Sequence, residues 1–147
     1  MLIRTLRFAP VVLVLALVIS AGCTGIQTSA SDATSAYTDL SVEEFKRMVD
    51  ESRSDPGGTT ILDVRTDAEY QREHLRDAIN LDVNAGVFRD RAARMDRDRT
   101  YLVYCQSGTR SARAAQTLNE LGFTRVYNMR GGITRWQDAG FPVVAGV

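Results

Sequence analysis

The sequence predicts an α/β fold with a central, mainly parallel five-stranded sheet and helices on both faces. Three observations predict it. Short apolar and β-branched runs alternate along the chain with segments whose apolar residues have helical spacing. The run TYLVYC, residues 100–105, is continuously apolar, as in a strand that is covered on both faces. Strands that alternate with helices are joined by crossover connections and therefore lie parallel to one another.

The first predicted helix begins after Ser41. Ser41 and Glu44 have the spacing of a capping box, in which each side chain accepts a hydrogen bond from the backbone N–H of the other. The residues DPGG at 55–58 end this segment as a turn. The apolar face of the helix consists of Phe45, Met48 and Val49.

The remaining elements follow in alternation, and four strands can be placed. Strands are predicted at residues 60–64, 78–83, 100–105 and 125–129. Helices are predicted at residues 67–74, 86–95, 111–122 and, after a turn, 131–140. Ligands of such sheets bind beyond the carboxyl ends of the strands. Cys105 lies at one of these ends and at the start of the next helix, which favours it as a site residue.

The composition indicates one folded domain. The chain has 147 residues, of which 44% are hydrophobic and 24% charged, which is typical of a globular protein. The formal net charge is zero, so no overall positive charge indicates binding to nucleic acid.

The N-terminal residues 1–22 have the order of a secretory signal peptide. A basic start, an apolar run of about a dozen residues and the small residues SAG precede Cys23. This pattern resembles the lipobox of prokaryotic lipoproteins, although Ser20 stands where that motif usually has leucine. We therefore expect Cys23 to be lipidated, with an uncleaved anchor or plain secretion as alternatives. Each of these places the protein outside the cytoplasm. Residues 23–36 are predicted to form a flexible tether, and residues 37–147 the folded domain.

Cys105 could be a disulfide partner, a metal ligand, a buried packing residue or a nucleophile. The only other cysteine is Cys23, at the signal boundary, which argues against a structural disulfide. His74 is the only histidine, so the ligands of a zinc site are missing. A buried inert thiol remains the main alternative to a nucleophile, because free cysteine is often buried.

The segment CQSGTR, residues 105–110, favours the nucleophile. A short polar loop with a glycine can turn its N–H groups toward the cysteine sulfur. The first turn of the following helix and Arg110 also favour thiolate over thiol. A Cys–His dyad is not expected, since His74 is distant in sequence, and the backbone must therefore activate the thiol.

The sequence YCQSGTRS, together with LDVRTDAEYQREHLRDAINL before it and GFTRVYNMRGGITRWQDAGFPV after it, resembles the rhodanese domain, a family of single-domain sulfurtransferases. The resemblance covers residues 37–147. It implies that Cys105 takes a sulfane sulfur from a small donor such as thiosulfate and passes it to a thiophilic acceptor such as cyanide, a thiol or a protein thiol. It implies no metal and no organic cofactor.

The resemblance also assigns roles to the other residues. Asp63 and Arg65 would support the site and pair with Glu69. Arg110 would fix the loop or the anionic donor, and the persulfide would be cradled by Gln106, Ser107, Gly108 and Thr109. Trp136 is expected to pack the last helix against the sheet, and His74 to have a structural role.

The turn that contains His74 departs from the family pattern. Glu73 stands where the family usually has glycine, and Arg76 and Asp77 stand in place of a Pro-Gly pair. We expect a changed turn geometry and a different rim at the site.

Loop length distinguishes sulfur chemistry from phosphate chemistry. Four residues separate Cys105 from Arg110, whereas the loop of cysteine phosphatases has five. The smaller ring favours a single sulfur atom over a tetrahedral oxyanion, so phosphatase or arsenate reductase activity is the weaker alternative. A non-catalytic binding or sulfur-carrier module is the other alternative.

Overall fold

The computed structural model describes residues 37–54 and 57–146, which contain one five-stranded sheet and five helices. The strands are β1 (Thr38–Leu40), β2 (Thr59–Asp63), β3 (Ile79–Asn80), β4 (Thr100–Tyr104) and β5 (Val126–Met129). The helices are α1 (Val42–Ser52), α2 (Asp67–Arg72), α3 (Phe88–Ala92), α4 (Thr109–Glu120) and α5 (Gly132–Asp138). The predicted signal peptide, lipidation at Cys23 and tether at 23–36 lie outside the described residues.

The predicted α/β fold is confirmed, and every strand pair in the described sheet is parallel. The strand order is β1-β5-β4-β2-β3. The fifth strand, which the sequence analysis did not locate, is β1 at the edge beside β5. The strand predicted at 78–83 is limited to two residues, Ile79 and Asn80, which pair with the end of β2.

Helix α1 begins at the predicted capping box. Glu44 donates its backbone N–H to Ser41 Oγ at 3.2 Å, and Ser41 donates its own to Glu44 Oε2 at 2.8 Å. Helix α2 has a second capping box, which the sequence analysis did not identify. There Glu69 N–H donates to Thr66 Oγ1 at 3.3 Å, and Thr66 N–H donates to Glu69 Oε2 at 3.0 Å. The two boxes define where both helices start.

The sheet lies between two apolar clusters. One packs α3 and α4 against the sheet through residues that include Phe88, Ala114 and Leu118. The other includes Phe45 of α1 and Trp136 of α5. Trp136 is 2% exposed and donates its indole N–H to the carbonyl of Pro142 at 2.9 Å, so the expected packing role is confirmed.

The register of the sheet brings the carboxyl ends of β2 and β4 together. Asp63, the last residue of β2, lies opposite Tyr104, the last residue of β4. Cys105 follows directly. The turn after β5, which starts α5, reaches the same edge of the sheet. In the described part of the chain, no helix has the length and apolar character needed to span a membrane.

Candidate active site

The loop from Cys105 to Gly108 connects β4 to α4. Gly108 is the residue before the first turn of α4 and has a φ of 95°, in the left-handed region that glycine adopts without strain. A side chain there would meet the backbone N of Gly131, because its Cβ would lie 2.9 Å from that atom. Two constraints therefore require glycine at position 108: the positive φ and the close approach of the turn before α5.

The Cys105 sulfur lies inside this loop and accepts hydrogen bonds from it. Gly108 N–H donates to Sγ at 3.1 Å, and the Ser111 hydroxyl lies 3.4 Å from Sγ. The residue is completely buried, and burial alone raises the pKa of a thiol. Hydrogen bonds from the Ser111 hydroxyl and from the backbone N–H groups of Ser111, Ser107 and Gly108 outweigh burial and lower the pKa of Cys105. The loop thus favours a buried thiolate.

Helix α5 holds the carbonyl groups of the loop. Ile133 N–H donates to the Cys105 carbonyl at 2.9 Å, and Thr134 N–H donates to the Gln106 carbonyl at 3.2 Å. Gly132, with a φ of 59°, allows this contact, because a Cβ there would lie 2.3 Å from the Cys105 carbonyl oxygen. With its carbonyls directed toward α5, the loop can direct its N–H groups toward the sulfur.

The side chain of Gln106 is fixed by its neighbours. Thr134 Oγ1 donates to the Gln106 carbonyl and accepts from Gln106 Nε2, both at 2.9 Å. The Gln106 amide oxygen lies 3.4 Å from Arg65 Nη1. Gln106 therefore links the cysteine loop to α5 on one side and to the end of β2 on the other.

A buried ion pair lies behind the loop. Asp63 and Arg65 are at most 1% exposed, and Arg65 donates from Nε and Nη2 to the Asp63 carboxylate at 3.1 and 2.7 Å. Arg65 Nη2 also donates to the Glu73 carbonyl at 2.6 Å. Burial, and next the negative charge of Asp63, raise the pKa of Tyr104. A buried charge is stabilised only when it has partners, and both charges of this pair find them in the protein: Asp63 in Arg65, and Arg65 in Asp63 and the Glu73 carbonyl.

Glu69 pairs with Arg110, and the expected pairing of Asp63 and Arg65 with Glu69 is wrong. Arg110 donates from Nη1 and Nη2 to the two Glu69 oxygens at 2.8 and 2.6 Å. The hydrogen bond from Arg110 is the main reason why the pKa of Glu69 falls to about 2. Arg65 cannot serve Glu69 in this way, since Asp63 and the Glu73 carbonyl already occupy its donors. Arg110 is thus tied to α2 by a bidentate bond.

The turn after α2 contains the residues that depart from the family pattern. His74 Nδ1 donates to the Tyr70 carbonyl at 2.9 Å, and the two rings stack with centroids 3.9 Å apart. The His74 backbone forms a bridge with Val144 through two hydrogen bonds of 2.8 Å. Asp77 has a φ of 66°, so it adopts the backbone conformation that a glycine adopts more easily. These contacts give His74 the structural role that the sequence analysis expected.

Three residues of the site were missed in the sequence analysis. Ser111 contacts the Cys105 sulfur, Thr134 contacts Gln106 in the loop, and Gly132 allows the approach of α5. Ser111 is the one polar residue among the buried residues of α4, and this was the signal that could have identified it. For Thr134 and Gly132 only the pair of glycines at the start of α5, Gly131 and Gly132, was a signal.

A surface depression of ≈ 480 Å³, the loop-side pocket, adjoins the loop. It is lined by Arg65, Glu69, Arg72, Glu73 and Gln106. Three of these side chains belong to the networks described above, so a molecule in this pocket would contact the residues that hold the cysteine loop. Within residues 37–54 and 57–146, no group of three His, Cys, Asp or Glu side chains could hold a metal ion.

Known proteins resemble this chain over the described domain. The family model of the Rhodanese-like domain matches residues 41–139. A protein named sulfurtransferase from Allochromatium vinosum is 36% identical over 92 residues, which cover 63% of this chain and 84% of that protein. Thiosulfate sulfurtransferase GlpE of Actinobacillus pleuropneumoniae is 31% identical over 108 residues, which cover 73% of this chain and 93% of that protein.

A solved structure has the same fold. The rhodanese-related protein from Thermoplasma volcanium superimposes with a TM-score of 0.63 at 29% sequence identity. The match covers 74% of this chain and 98% of that one.

Proposed function

Because the chain belongs to the Rhodanese-like domain family, we propose that it is a sulfurtransferase that carries sulfur as a persulfide on Cys105. The observation that carries the proposal is the hydrogen-bonded sulfur: a fully buried thiol whose pKa is nevertheless lowered by Ser111 and by loop N–H groups. Such a thiol is present as the nucleophilic thiolate at neutral pH more often than an ordinary buried cysteine.

In the first step the Cys105 thiolate attacks the sulfane sulfur of the donor. With thiosulfate, a bond forms between the two sulfur atoms, the S–S bond of thiosulfate breaks, and sulfite leaves with the bonding electron pair. No proton or external electron is needed. The negative charge stays on the new persulfide, so the N–H groups that favour the thiolate also favour the product.

In the second step an acceptor attacks the outer sulfur. Cyanide, for example, forms thiocyanate and returns Cys105 to the thiolate form. Cys105 is the only cysteine among the described residues, so no resolving thiol lies within that part of the chain. An external nucleophile, either a small thiol or cyanide or a protein thiol, must then remove the sulfur.

The size of the loop supports sulfur over a tetrahedral oxyanion. Gly108 N–H lies 3.1 Å from Sγ, and the Ser111 hydroxyl already occupies a second side of the sulfur. Arg110, in the first turn of α4, is bound by both oxygens of Glu69, which occupies its donors and disfavours their use for an oxyanion above the sulfur. These contacts favour a small, singly charged adduct over a phosphoryl group.

The direct test is the mass of the protein after exposure to thiosulfate. We expect an increase by the mass of one sulfur atom, removal of that increase by cyanide, and no increase in Cys105→Ser. An unchanged mass in the wild type with every sulfane donor tried would contradict the enzyme proposal.

A second candidate is a non-catalytic binding or sulfur-carrier module, and the complete burial of Cys105 favours it. A carrier that is loaded and discharged by protein partners needs no open path for small donors. It would show a stable persulfide but little turnover with thiosulfate and cyanide. Steady-state thiocyanate production that depends on Cys105 would exclude this candidate.

We also propose that Cys23 is lipidated and holds the domain outside the cytoplasm. The support is the order of basic, apolar and small residues before Cys23. Mass spectrometry of the mature N-terminus is the test. A diacylglyceryl group on Cys23 is expected, and an intact Met1 would overturn the proposal.

A further inference from the structure

The loop-side pocket is lined by charged side chains that have no role in the two sulfur-transfer steps proposed above. Its lining brings together two arginines and two glutamates, with Gln106 as the loop residue among them. A sulfur donor that approaches the cysteine loop from this side meets these charges first. Their balance therefore bears on which donors the site accepts, an inference that rests on the proposed function.

Two of the four charges are already neutralised by close partners. Arg65 is bound to Asp63, with Nη2 2.7 Å from Oδ2, and Glu69 is bound to Arg110 at 2.6 Å. Neither pair leaves a free charge for a donor. Arg72 and Glu73 then determine the net charge of the pocket.

Arg72 is the last residue of α2 and is exposed, and its side chain has no ion pair or hydrogen bond with the described residues. By itself it would attract an anionic donor. Glu73, the next residue, lies in the same lining, and its carboxylate accepts a hydrogen bond from Gln137 Nε2 at 2.9 Å. This amide is neutral, so it holds the carboxylate in place without cancelling its charge.

We propose that Glu73 is a specificity-determining residue, which cancels the attraction of Arg72 for dianionic sulfur donors and favours donors with one negative charge or none. The backbone carbonyl of Glu73 accepts from Arg65 Nη2 at 2.6 Å, which fixes the residue next to the network that supports the loop. Glu73 does not contact the reacting atoms, and its effect is electrostatic.

Two donors separate charge from chemistry. Thiosulfate is a dianion, and methanethiosulfonate is a monoanion in which a methyl group replaces one oxygen. With either donor the Cys105 thiolate attacks the sulfane sulfur and the S–S bond breaks. Sulfite or methanesulfinate then leaves with the electron pair. The product on Cys105 is the same persulfide with both donors. A variant that changes kcat/KM for one donor more than for the other therefore acts on the binding or approach of the donor.

The variant Glu73→Gln removes the charge and keeps the shape and the bond to Gln137. At a separation on the order of 10 Å and an ionic strength of about 10 mM, we expect kcat/KM for thiosulfate to rise roughly 3- to 8-fold. For methanethiosulfonate we expect about the square root of that factor, since the interaction energy scales with the donor charge. At roughly 0.5 M salt the increase should fall below about 2-fold for thiosulfate and below about 1.4-fold for methanethiosulfonate.

Glu51→Gln is the matched control. It removes one carboxylate of similar chemistry from the last turn of α1, where the side chain is 69% exposed. Helix α1 leads from the carboxyl end of β1 to the amino end of β2. Glu51, in its last turn, therefore lies near the amino ends of the strands, whereas the cysteine loop lies at their carboxyl ends. We expect it to change neither donor's kcat/KM by more than about 1.5-fold at that distance.

Arg72→Gln completes the test. It should lower kcat/KM for thiosulfate by a similar factor, and the double variant should return close to the wild-type value. Equal effects of Glu73→Gln on both donors, an effect no larger than that of Glu51→Gln, or an effect that salt does not reduce would each overturn the proposal. No sulfur transfer from either donor to any variant would refute the proposed function, and this inference with it.

Discussion

The Ser111 hydroxyl offers a direct test of how the loop activates Cys105. It lies 3.4 Å from Sγ and 3.1 Å from the Gly108 carbonyl, and a hydroxyl has only one proton to donate. The carbonyl also accepts from Ala112 N–H at 3.1 Å. In Ser111→Ala the Gly108 carbonyl therefore keeps a hydrogen-bond donor, and the Cys105 sulfur is the group that loses one.

The magnitude follows from these contacts. A hydrogen bond to a charged acceptor contributes roughly 1.5–3 kcal/mol, and we take about 1 kcal/mol because the hydroxyl is shared and the sulfur is 3.4 Å away. This free energy corresponds to about a five-fold smaller thiolate population at pH values below the pKa. Ser111→Ala should therefore raise the pKa of Cys105. Its effect on the free energy of unfolding should stay below about 1 kcal/mol, because no polar group is left unpaired.

The measurement is the rate of alkylation of the folded protein by iodoacetamide as a function of pH. We expect the Ser111→Ala profile to move to higher pH, with rates that approach those of the wild type once both thiols are fully ionised. Ser52→Ala is the matched control, since Ser52 Oγ donates to the Val49 carbonyl at 2.7 Å in α1, away from the loop. A Ser111→Ala profile that overlays the wild type, or an equal shift in Ser52→Ala, would refute this account of activation.

Three further predictions concern stability. Gly132→Ala should lower the free energy of unfolding by about 3 kcal/mol or more, because it adds a backbone clash to a positive φ. Gly140→Ala, with a φ of 74° and open space around it, should cost only about 1 kcal/mol in the same urea titration, and equal costs would exclude the clash. Asp77→Gly should stabilise by about 0.5 kcal/mol by relieving a positive φ, and a lower melting temperature would contradict this. Glu69 binds Arg110 with a pKa of about 2, so its contribution is complete above its unfolded pKa near 4.5 and is lost as the pH falls to about 2. Glu69→Gln should remove on the order of 1–2 kcal/mol of pH-dependent stability in that range, and an unchanged acid unfolding curve would contradict the pair.

Most of the features predicted from the sequence are encoded by neighbouring residues, although the equally local capping box of Thr66 and Glu69 was missed. The capping box of α1 depends on Ser41 and Glu44, three residues apart, and the position of Cys105 depends on a strand directly followed by a helix. The five-stranded sheet was predicted as a whole, but β1 was not located. Its three residues show no apolar pattern of their own, and the strand exists through pairing with β5, with Thr38 opposite Tyr127.

Features that depend on distant residues could not be predicted. Glu69 and Arg110 are 41 positions apart, and only the folded backbone shows that Arg110 reaches Glu69 while Arg65 turns to Asp63. The contact of Thr134 with Gln106 spans 28 positions. The sequence pattern thus identifies Cys105 as the candidate nucleophile, and the tertiary structure determines which residues lower its pKa.

The donation of two α5 N–H groups to the cysteine loop has a consequence for the timing of reactivity. Ile133 and Thr134 belong to α5, which is synthesised after the cysteine loop, and their N–H groups donate to the carbonyls of Cys105 and Gln106. A nascent or truncated chain that ends before residue 131 contains the whole cysteine loop but not these donors. In such a chain nothing from α5 holds the loop carbonyls, so the loop N–H groups that lower the pKa of Cys105 lack that support. On the proposed function, Cys105 is therefore ready to accept sulfur only once α5 has docked on the loop.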